Sequence, residues 1–196
     1  MTENWQGNPD ELRARAETYL APERVAHVRG CEQEAVSLAR RWGAEEADAA
    51  AAGILHDITK KLRYKEQIAL CKELNIELDS EEMRQPKLLH AVTGAYLAEK
   101  EFGISPEIRD AIRWHTTAKA DMTLLEKIIY LADYIEPTRD FEGVERLRKL
   151  AYEDIDSAMA LGLAMSLEDI ESRGETPYRV TRSAYEYYTG GRYVDT

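Results

Sequence analysis

The amino-acid sequence predicts an all-α fold, and three observations support this prediction. No stretch of useful length alternates apolar and polar residues in the way that an amphipathic strand does. Apolar residues recur instead at helical spacing, as Val28, Ala35 and Leu38 do. Proline and glycine divide the chain into segments of helical length, so we expect a single helical bundle.

Residues typical of helix ends mark the predicted helices. Asn8 fits an N-cap, because Pro9 follows it at the first helical position. Thr123 and Glu126 have the spacing of a capping box. Gly43 is expected to end the second helix. Besides the helix that starts at Pro9 and a loop over residues 75–85, helices are predicted over residues 24–43, 44–57, 65–74, 86–103, 105–115, 124–136, 154–174 and 183–188.

The length of 196 residues is enough for one hydrophobic core, and we expect one domain. Within it we distinguish an N-terminal helix over residues 1–21 and a core over residues 22–141. Residues 142–196 are expected to form C-terminal helices that pack on the same domain.

Composition excludes several classes of function. The formal net charge of −11 argues against general nucleic-acid binding, which needs a basic surface. No apolar run approaches the roughly 20 residues that cross a bilayer, and the first residues show no secretory signal. Cys31 and Cys71 form no paired motif and are expected to be reduced core thiols. We therefore expect a cytoplasmic protein without nucleic-acid or membrane partners, and we leave a homodimer open.

Six residues are candidate metal ligands, although a single histidine on a helix usually lies at the surface or is hydrogen-bonded in the core. The candidates are His27, His56, Asp57, His90, His115 and Asp133. Each histidine falls in a different predicted helix, on or beside an apolar face. Burying six such groups without partners would cost more than the net stability of an ordinary domain, about 5–15 kcal/mol. A shared cation would offset this cost.

The ligand types restrict the metal without fixing it. Imidazole and carboxylate ligands favour Fe, Mn, Zn or Co. Six ligands are more than one tetrahedral zinc needs, which favours two metals or one octahedral ion. If the substrate is a phosphate ester, an acidic protein must supply positive charge locally, and bound metal ions do so.

Five sequence blocks around these residues resemble a known family. They are RVAHVRGCEQEAVSLARRWG, AAGILHDITKKL, LLHAVTGAYLA, IRWHTT and KIIYLADYIEPTRDF, and together they span about Arg24 to Phe141. They resemble the HD metal-dependent phosphohydrolase superfamily, in which a histidine, an adjacent His-Asp pair and a distant aspartate lie on helices. The blocks are most similar to the YqeK subgroup, known as symmetrical bis(5′-nucleosyl)-tetraphosphatases. The resemblance implies a single HD-domain helical bundle.

The resemblance also implies a binuclear metal centre, with iron as the expected metal and Mn, Co or another divalent ion as alternatives. By the family pattern, the first metal would be held by His27, His56, Asp57 and Asp133, and the second by His90 and His115, with Asp57 bridging. The implied activity is hydrolysis of diadenosine tetraphosphate to two ADP by a metal-activated water.

Asp57 and Lys60 are the candidate catalytic residues. Asp57 could orient the attacking hydroxide, and Lys60, one turn later, could reach a phosphate oxygen. Lys60, Arg139 and Arg24 are the candidate substrate-binding residues, and the planar fork of Arg139 suits bidentate phosphate binding. A solvated Lys60 and a surface salt bridge of Arg24 are the alternative interpretations. Candidates for supporting roles around the ligands are Thr59, Thr116 and Glu136.

Two rival functions remain open at the level of sequence. The first is an HD phosphohydrolase of another nucleotide, such as a nucleoside triphosphate, a nucleoside monophosphate or a cyclic dinucleotide. The stretch HDITK resembles the HDIGK of cyclic-dinucleotide phosphodiesterases, but their GYP segment is missing here. The second rival is a non-catalytic protein that binds metal or nucleotide, which the complete ligand set disfavours.

Overall fold

A computed structural model describes Trp5, residues 8–191 and Val194; the other residues of the predicted N-terminal segment and of the tail lie outside the described residues. The described residues form α-helices and no strand, which confirms the all-α prediction. The helices are α1 (Pro9–Glu17), α2 (Val25–Trp42), α3 (Glu46–Leu55), α4 (Tyr64–Glu73), α5 (Leu89–Phe102), α6 (Pro106–Trp114), α7 (Leu124–Ile135), α8 (Val144–Glu153), α9 (Ile155–Ser172) and α10 (Arg179–Thr189). Short 3₁₀ turns cover Pro22–Arg24, Glu82–Arg84 and Pro86–Leu88.

Side-chain caps start two of these helices as the sequence predicts. The side chain of Asn8 accepts a hydrogen bond from the amide of Asp10 at the start of α1. Thr123 and Glu126 form the reciprocal capping box at the start of α7. Gly43 ends α2 in the left-handed conformation, with φ of 76°, which glycine adopts without steric cost.

Three helices differ from the sequence-based expectation. Helix α10 begins at Arg179, four residues before the predicted segment 183–188. Helix α3 ends at Leu55, two residues before the end of the predicted segment 44–57, so that the His-Asp pair lies in the following turn. Helix α8 is absent from the predictions, although Val144, Leu147 and Ala151 recur at helical spacing and are buried. Charged residues fill most positions between them and obscure the apolar stripe.

The core forms where α2 packs against both α3 and α7. Gly53 permits the close approach of α3 to α2, because a Cβ at this position would lie 2.8 Å from the Cα of Glu32. Leu38, Ile54 and Ile129 come from these three helices and are fully buried. This packing fixes the helices that carry His27 and Asp133 and the helix that precedes the His-Asp pair.

The C-terminal helices pack on the same body. Helix α9 contacts α7 at Gly162, where a Cβ would lie 3.4 Å from a ring carbon of Tyr134, and α10 packs against α9. The segment before α10 reaches the loop before α5, since the Tyr178 hydroxyl donates to Asp79 Oδ2 over 2.9 Å. Among the described residues, the helices are too short or too polar to span a bilayer.

Candidate metal centre and active site

The six candidate ligands converge at one place in the bundle, although they come from five separate segments. His27 comes from α2, His56 and Asp57 from the turn after α3, His90 from α5, His115 from the C-cap of α6, and Asp133 from α7. All are buried except Asp133, whose side chain is 18% exposed. The structure thus brings together every residue that the sequence pattern indicates as a ligand.

The cluster has two ends with Asp57 between them. We call His27, His56 and Asp133 the first end, and His90 and His115 the second end. At the first end, His27 Nε2 lies 3.2 Å from His56 Nε2 and 3.1 Å from Asp133 Oδ1. At the second end, the two Nε2 atoms lie 3.1 Å apart. Asp57 Oδ2 lies 3.5 Å from His56 Nε2, and its Oδ1 lies 3.3 Å from His90 Nε2, so one carboxylate faces both ends.

The His-Asp pair lies in the turn after α3, and both of its side chains reach the cluster. In this turn the amides of Ile58 and Lys60 donate to the carbonyls three residues earlier, at Leu55 and Asp57. His56 Nε2 lies 3.5 Å from Asp57 Oδ2. The two adjacent residues therefore belong to one site.

Hydrogen bonds fix the orientation of all four imidazoles. The Nδ1 atoms of His56, His90 and His115 each lie 2.7–2.8 Å from the backbone carbonyl three residues earlier. A carbonyl only accepts hydrogen bonds, so these Nδ1 atoms carry the proton and the Nε2 atoms present lone pairs. The Nδ1 of His27 donates instead to Glu136 Oε1 over 3.0 Å. All four Nε2 atoms therefore point into the cluster.

This arrangement fits metal ions. Two neutral Nε2 atoms about 3 Å apart repel each other through their lone pairs unless a cation lies between or beside them. Asp57 Oδ1 is a buried atom without a hydrogen-bond partner, and such an atom is costly when it remains unpaired. Among the described residues, three overlapping groups of the candidate ligands have donor atoms within 4.8 Å of one another.

The ionisation states of His90, His115 and the two carboxylates also suit metal binding. Burial, with a smaller contribution from nearby positive groups, lowers the pKa of His115 to about 4 and the pKa of His90 well below its ordinary value. Burial raises the pKa of Asp57 and Asp133, but the neighbouring histidines outweigh it and hold both values well below the usual range. Burial lowers the pKa of His56, but Cys31 and Asp57 outweigh it and hold the value well above the ordinary one. A divalent cation binds neutral imidazoles and ionised carboxylates, so its binding would release the second proton of His56.

The three candidate substrate-binding residues also lie at the cluster. Arg24 Nη2 lies 2.5 Å from Asp57 Oδ2, and Arg139 Nη2 lies 2.6 Å from Asp133 Oδ1, both at the first end. Lys60 Nζ lies 3.0 Å from His90 Nε2 at the second end. An acidic protein thus places three positive side chains around one buried site. The salt bridge considered for Arg24 is present, and its partner is the buried carboxylate of Asp57.

Comparison with known proteins agrees with this geometry. The family model described as HD domain matches residues 24–138, more than half of the chain. The chain belongs to the HD domain family. This membership, together with the buried His/Asp cluster, indicates a divalent-metal site.

Two curated relatives and one solved structure extend this result. The protein "Bis(5′-nucleosyl)-tetraphosphatase, symmetrical" of Bacillus subtilis (strain 168) is 38% identical over 94% of this chain and 99% of its own. The protein of the same name from Halalkalibacterium halodurans is 37% identical over 85% of this chain and 89% of its own. The crystal structure of a "predicted HD superfamily hydrolase involved in NAD metabolism" from Clostridium acetobutylicum is 35% identical, with a TM-score of 0.90 over 97% of this chain and 100% of that chain. These similarities confirm the family and the HD fold.

The carboxylate of Glu136 holds His27 from the side of its ring that faces away from the cluster. Glu136 is fully buried, and besides His27 Nδ1 it accepts hydrogen bonds from the amide of Thr138 over 2.7 Å and from its hydroxyl over 2.5 Å. Gly30, one turn after His27, leaves room for this carboxylate, because a Cβ there would collide with Glu136 Oε2. Glu136 is a candidate for a supporting role from the sequence alone, whereas the only sequence signal for Gly30 is its spacing from His27.

Threonines hold the second end together. The Thr59 hydroxyl donates to the carbonyl of His90 over 2.8 Å and so links the His-Asp turn to α5. The Thr116 hydroxyl lies 3.2 Å from His90 Nε2 and 3.1 Å from His115 Nε2. Gln67, which the sequence pattern did not indicate, donates to the carbonyl of Thr59 over 2.8 Å. This buried polar network fixes the turn that carries Asp57.

Proposed function

We propose that this HD-domain protein is a metal-dependent phosphoanhydride hydrolase that cleaves diadenosine tetraphosphate symmetrically to two ADP. The observation that carries the proposal is the convergence of four Nε2 lone pairs on Asp57, whose two oxygens face opposite ends of the cluster. The names of the two curated relatives, which match this chain over most of their length, supply the substrate.

We assign one metal to each end of the cluster. The first would be held by His27, His56, Asp57 and Asp133, and the second by His90 and His115, with Asp57 bridging. We propose iron as the metal, with Mn or Co as alternatives that accept the same ligands. Asp57 Oδ2 faces His56 at the first end and Oδ1 faces His90 at the second end, which supports two metals over one.

The positive side chains account for substrate binding. Bound cations would neutralise charge on the phosphoryl group and would lower the pKa of a nearby water. Arg24 and Arg139 would bind phosphate oxygens at the first end, and Lys60 would do so at the second end. Positive charge on both sides of Asp57 suits a substrate with two equal halves.

The chemistry requires no protein nucleophile. Water would add to one of the two central phosphorus atoms of the tetraphosphate, and the bond from that phosphorus to the central bridging oxygen would break. One ADP then leaves with this oxygen, and the other carries the oxygen of water. Asp57 would orient the attacking water, and Lys60 would neutralise charge on the departing phosphate.

The experiment begins with the metal content of the purified protein and then resolves the products formed from diadenosine tetraphosphate by anion exchange. ADP as the only product supports symmetric cleavage. ATP together with AMP would show the asymmetric class. Absence of products from metal-loaded protein would favour the non-catalytic binding protein. A nucleoside triphosphate, a nucleoside monophosphate and a cyclic dinucleotide, tested in parallel, cover the rival substrates.

We further propose a cytoplasmic location. Cys31 and Cys71 are both buried and unpaired, as is usual for proteins of a reducing compartment. Fractionation of the source cells, with the protein detected by antibody, tests this location.

A further inference from the structure

A surface groove beside the metal centre has no part in the function described so far. It is lined by residues of α7, the loop before α8, α8 and α9, among them Tyr134, Phe141 and Met165. Its volume is about 790 Å³, within the range of about 300–1,000 Å³ that is typical of small-molecule sites. None of the six candidate metal ligands lines it.

One wall of the groove is aromatic and polarizable. The rings of Tyr134 and Phe141 stack nearly parallel, with centroids 5.2 Å apart and an interplanar angle of 24°. Met165 packs against the bare backbone of Gly143, because a Cβ there would collide with the Met165 methyl group. Rigid aromatic rings next to a thioether form a surface on which a flat nucleobase can stack.

The charge of the groove disfavours phosphate. Its lining includes the carboxylates of Glu142, Glu168 and Asp169 but only the guanidinium of Arg146 as a positive group. A polyphosphate chain would be repelled here, whereas a neutral nucleoside would not. Carboxylates also accept hydrogen bonds from ribose hydroxyls, as in dinucleotide-binding proteins.

The backbone joins the groove to the metal centre. Tyr134 directly follows Asp133, and Phe141 lies two residues after Arg139, a stretch of chain that spans at most about 7 Å. Arg148 fixes this loop, because its side chain donates to the carbonyls of Glu136 and Arg139 over 2.9 and 2.8 Å. A nucleotide whose phosphate contacts Arg139 can therefore reach Phe141 with its base.

We propose that this groove binds a nucleoside end of the substrate, with the base against Phe141 and the phosphates at Arg139. The inference rests on the proposed function for the phosphate position, and it adds the residues that recognise the nucleoside. The competing occupant of such a groove is a second copy of the chain, which the experiment also detects.

The experiment measures the dissociation constants of ADP and of inorganic pyrophosphate for the metal-loaded protein by titration calorimetry. Pyrophosphate keeps the diphosphate and lacks the nucleoside. Phe141→Leu should weaken ADP binding about tenfold, the usual effect of losing one aromatic stacking partner, and change pyrophosphate binding less than twofold. Phe141→Trp should keep the affinity for ADP. Tyr187→Leu, which replaces an exposed aromatic ring outside the groove, is the matched control and should change neither constant.

Several results would overturn the groove assignment. One is an unchanged ratio of the two dissociation constants in Phe141→Leu, and another is an equal loss for both ligands. Sedimentation that shows a wild-type dimer dissociated by Phe141→Leu would assign the groove to a second copy. Failure of the proposed function is distinct, because it appears as wild-type protein that forms no ADP from diadenosine tetraphosphate. The two binding constants can still be measured in that case.

Discussion

The two ends of the candidate metal centre differ in how one imidazole, that of His27, is oriented. At the second end, the Nδ1 atoms of His90 and His115 bond to carbonyls of their own backbone segments, three residues earlier. At the first end, His27 depends on the carboxylate of Glu136, which is 109 residues away in sequence. Local backbone geometry can therefore position three of the imidazoles, since His56 at the first end also bonds to the carbonyl three residues earlier, whereas His27 requires the correct packing of α2 against α7.

The two ends also differ in charge. The first end includes the carboxylate of Asp133 in addition to one oxygen of Asp57, and Arg24 and Arg139 contact these groups. The second end has only the other oxygen of Asp57 and is approached by Lys60. Since the first end offers four candidate ligands and the second end three, we expect the first end to hold its metal more tightly than the second.

The largest effect is expected from a change that removes the residue common to both ends. Asp57→Asn keeps the shape of the side chain but removes its charge, so both metals should be lost and kcat/KM should fall about 10³-fold. Metal content by mass spectrometry and product formation measure these effects. Asp10→Asn, at a residue whose side chain is 87% exposed, is the control and should change neither. An Asp57→Asn protein that retains one full metal would refute the bridging role.

A change at the second end should separate the two metals. His90→Ala removes one of two imidazoles there, while α5 keeps its other buried contacts, so the protein should stay folded. We expect loss of one metal and a fall in activity of about 10²-fold or more. Metal content and circular dichroism check the prediction. Full activity in this variant would show that the second end is misassigned.

A smaller and selective effect is expected at the first end. Glu136→Gln keeps a hydrogen-bond acceptor for His27 but removes the charge, so metal affinity at the first end should fall about 10- to 100-fold. Gly30→Ala, which crowds the same carboxylate, should act in the same direction. Competition with a chelator measures both affinities. If either variant weakened both ends equally, the proposed difference between the ends would be wrong.

The smallest effect concerns the loop that leads to the second end. Burial raises the pKa of Asp79, but hydrogen bonds from the amide of Glu82, the Tyr178 hydroxyl, the amide of Glu81 and Arg179 outweigh it and lower the value to about 2. A carboxyl whose pKa is lowered on folding stabilises the protein above its unfolded pKa of about 3.9, and this stability is lost as the pH falls towards 2.

Asp79→Asn should therefore lower the Tm by a few degrees at pH 7 and by less at pH 3. Thermal unfolding followed by circular dichroism at the two pH values measures this difference. Asp156→Asn replaces an exposed aspartate that pairs with Lys127 and serves as the control. The same loss of Tm at both pH values in Asp79→Asn would contradict the assigned role of the hydrogen bonds.

The sequence indicates the residues that converge in the cluster better than it indicates the residues that hold them in place. Residue type and spacing were sufficient to indicate His27 and Asp133, because an ionisable group beside an apolar helix face needs a partner. The contact of Glu136 with His27 links two segments far apart in sequence, and no local pattern encodes it. The role of Gly30 and the groove at Phe141 likewise depend on how helices pack. The end of α3 at Leu55 could not be predicted either, because the residues of the following turn continue the helical pattern of the sequence.

We expect two cations to bind, one on either side of Asp57. Anomalous diffraction from crystals soaked in Mn²⁺ would locate them. We predict two anomalous peaks, one among the donor atoms of His27, His56 and Asp133 and the other between His90 and His115, each next to one oxygen of Asp57. A single peak, or peaks only away from Asp57, would contradict the account.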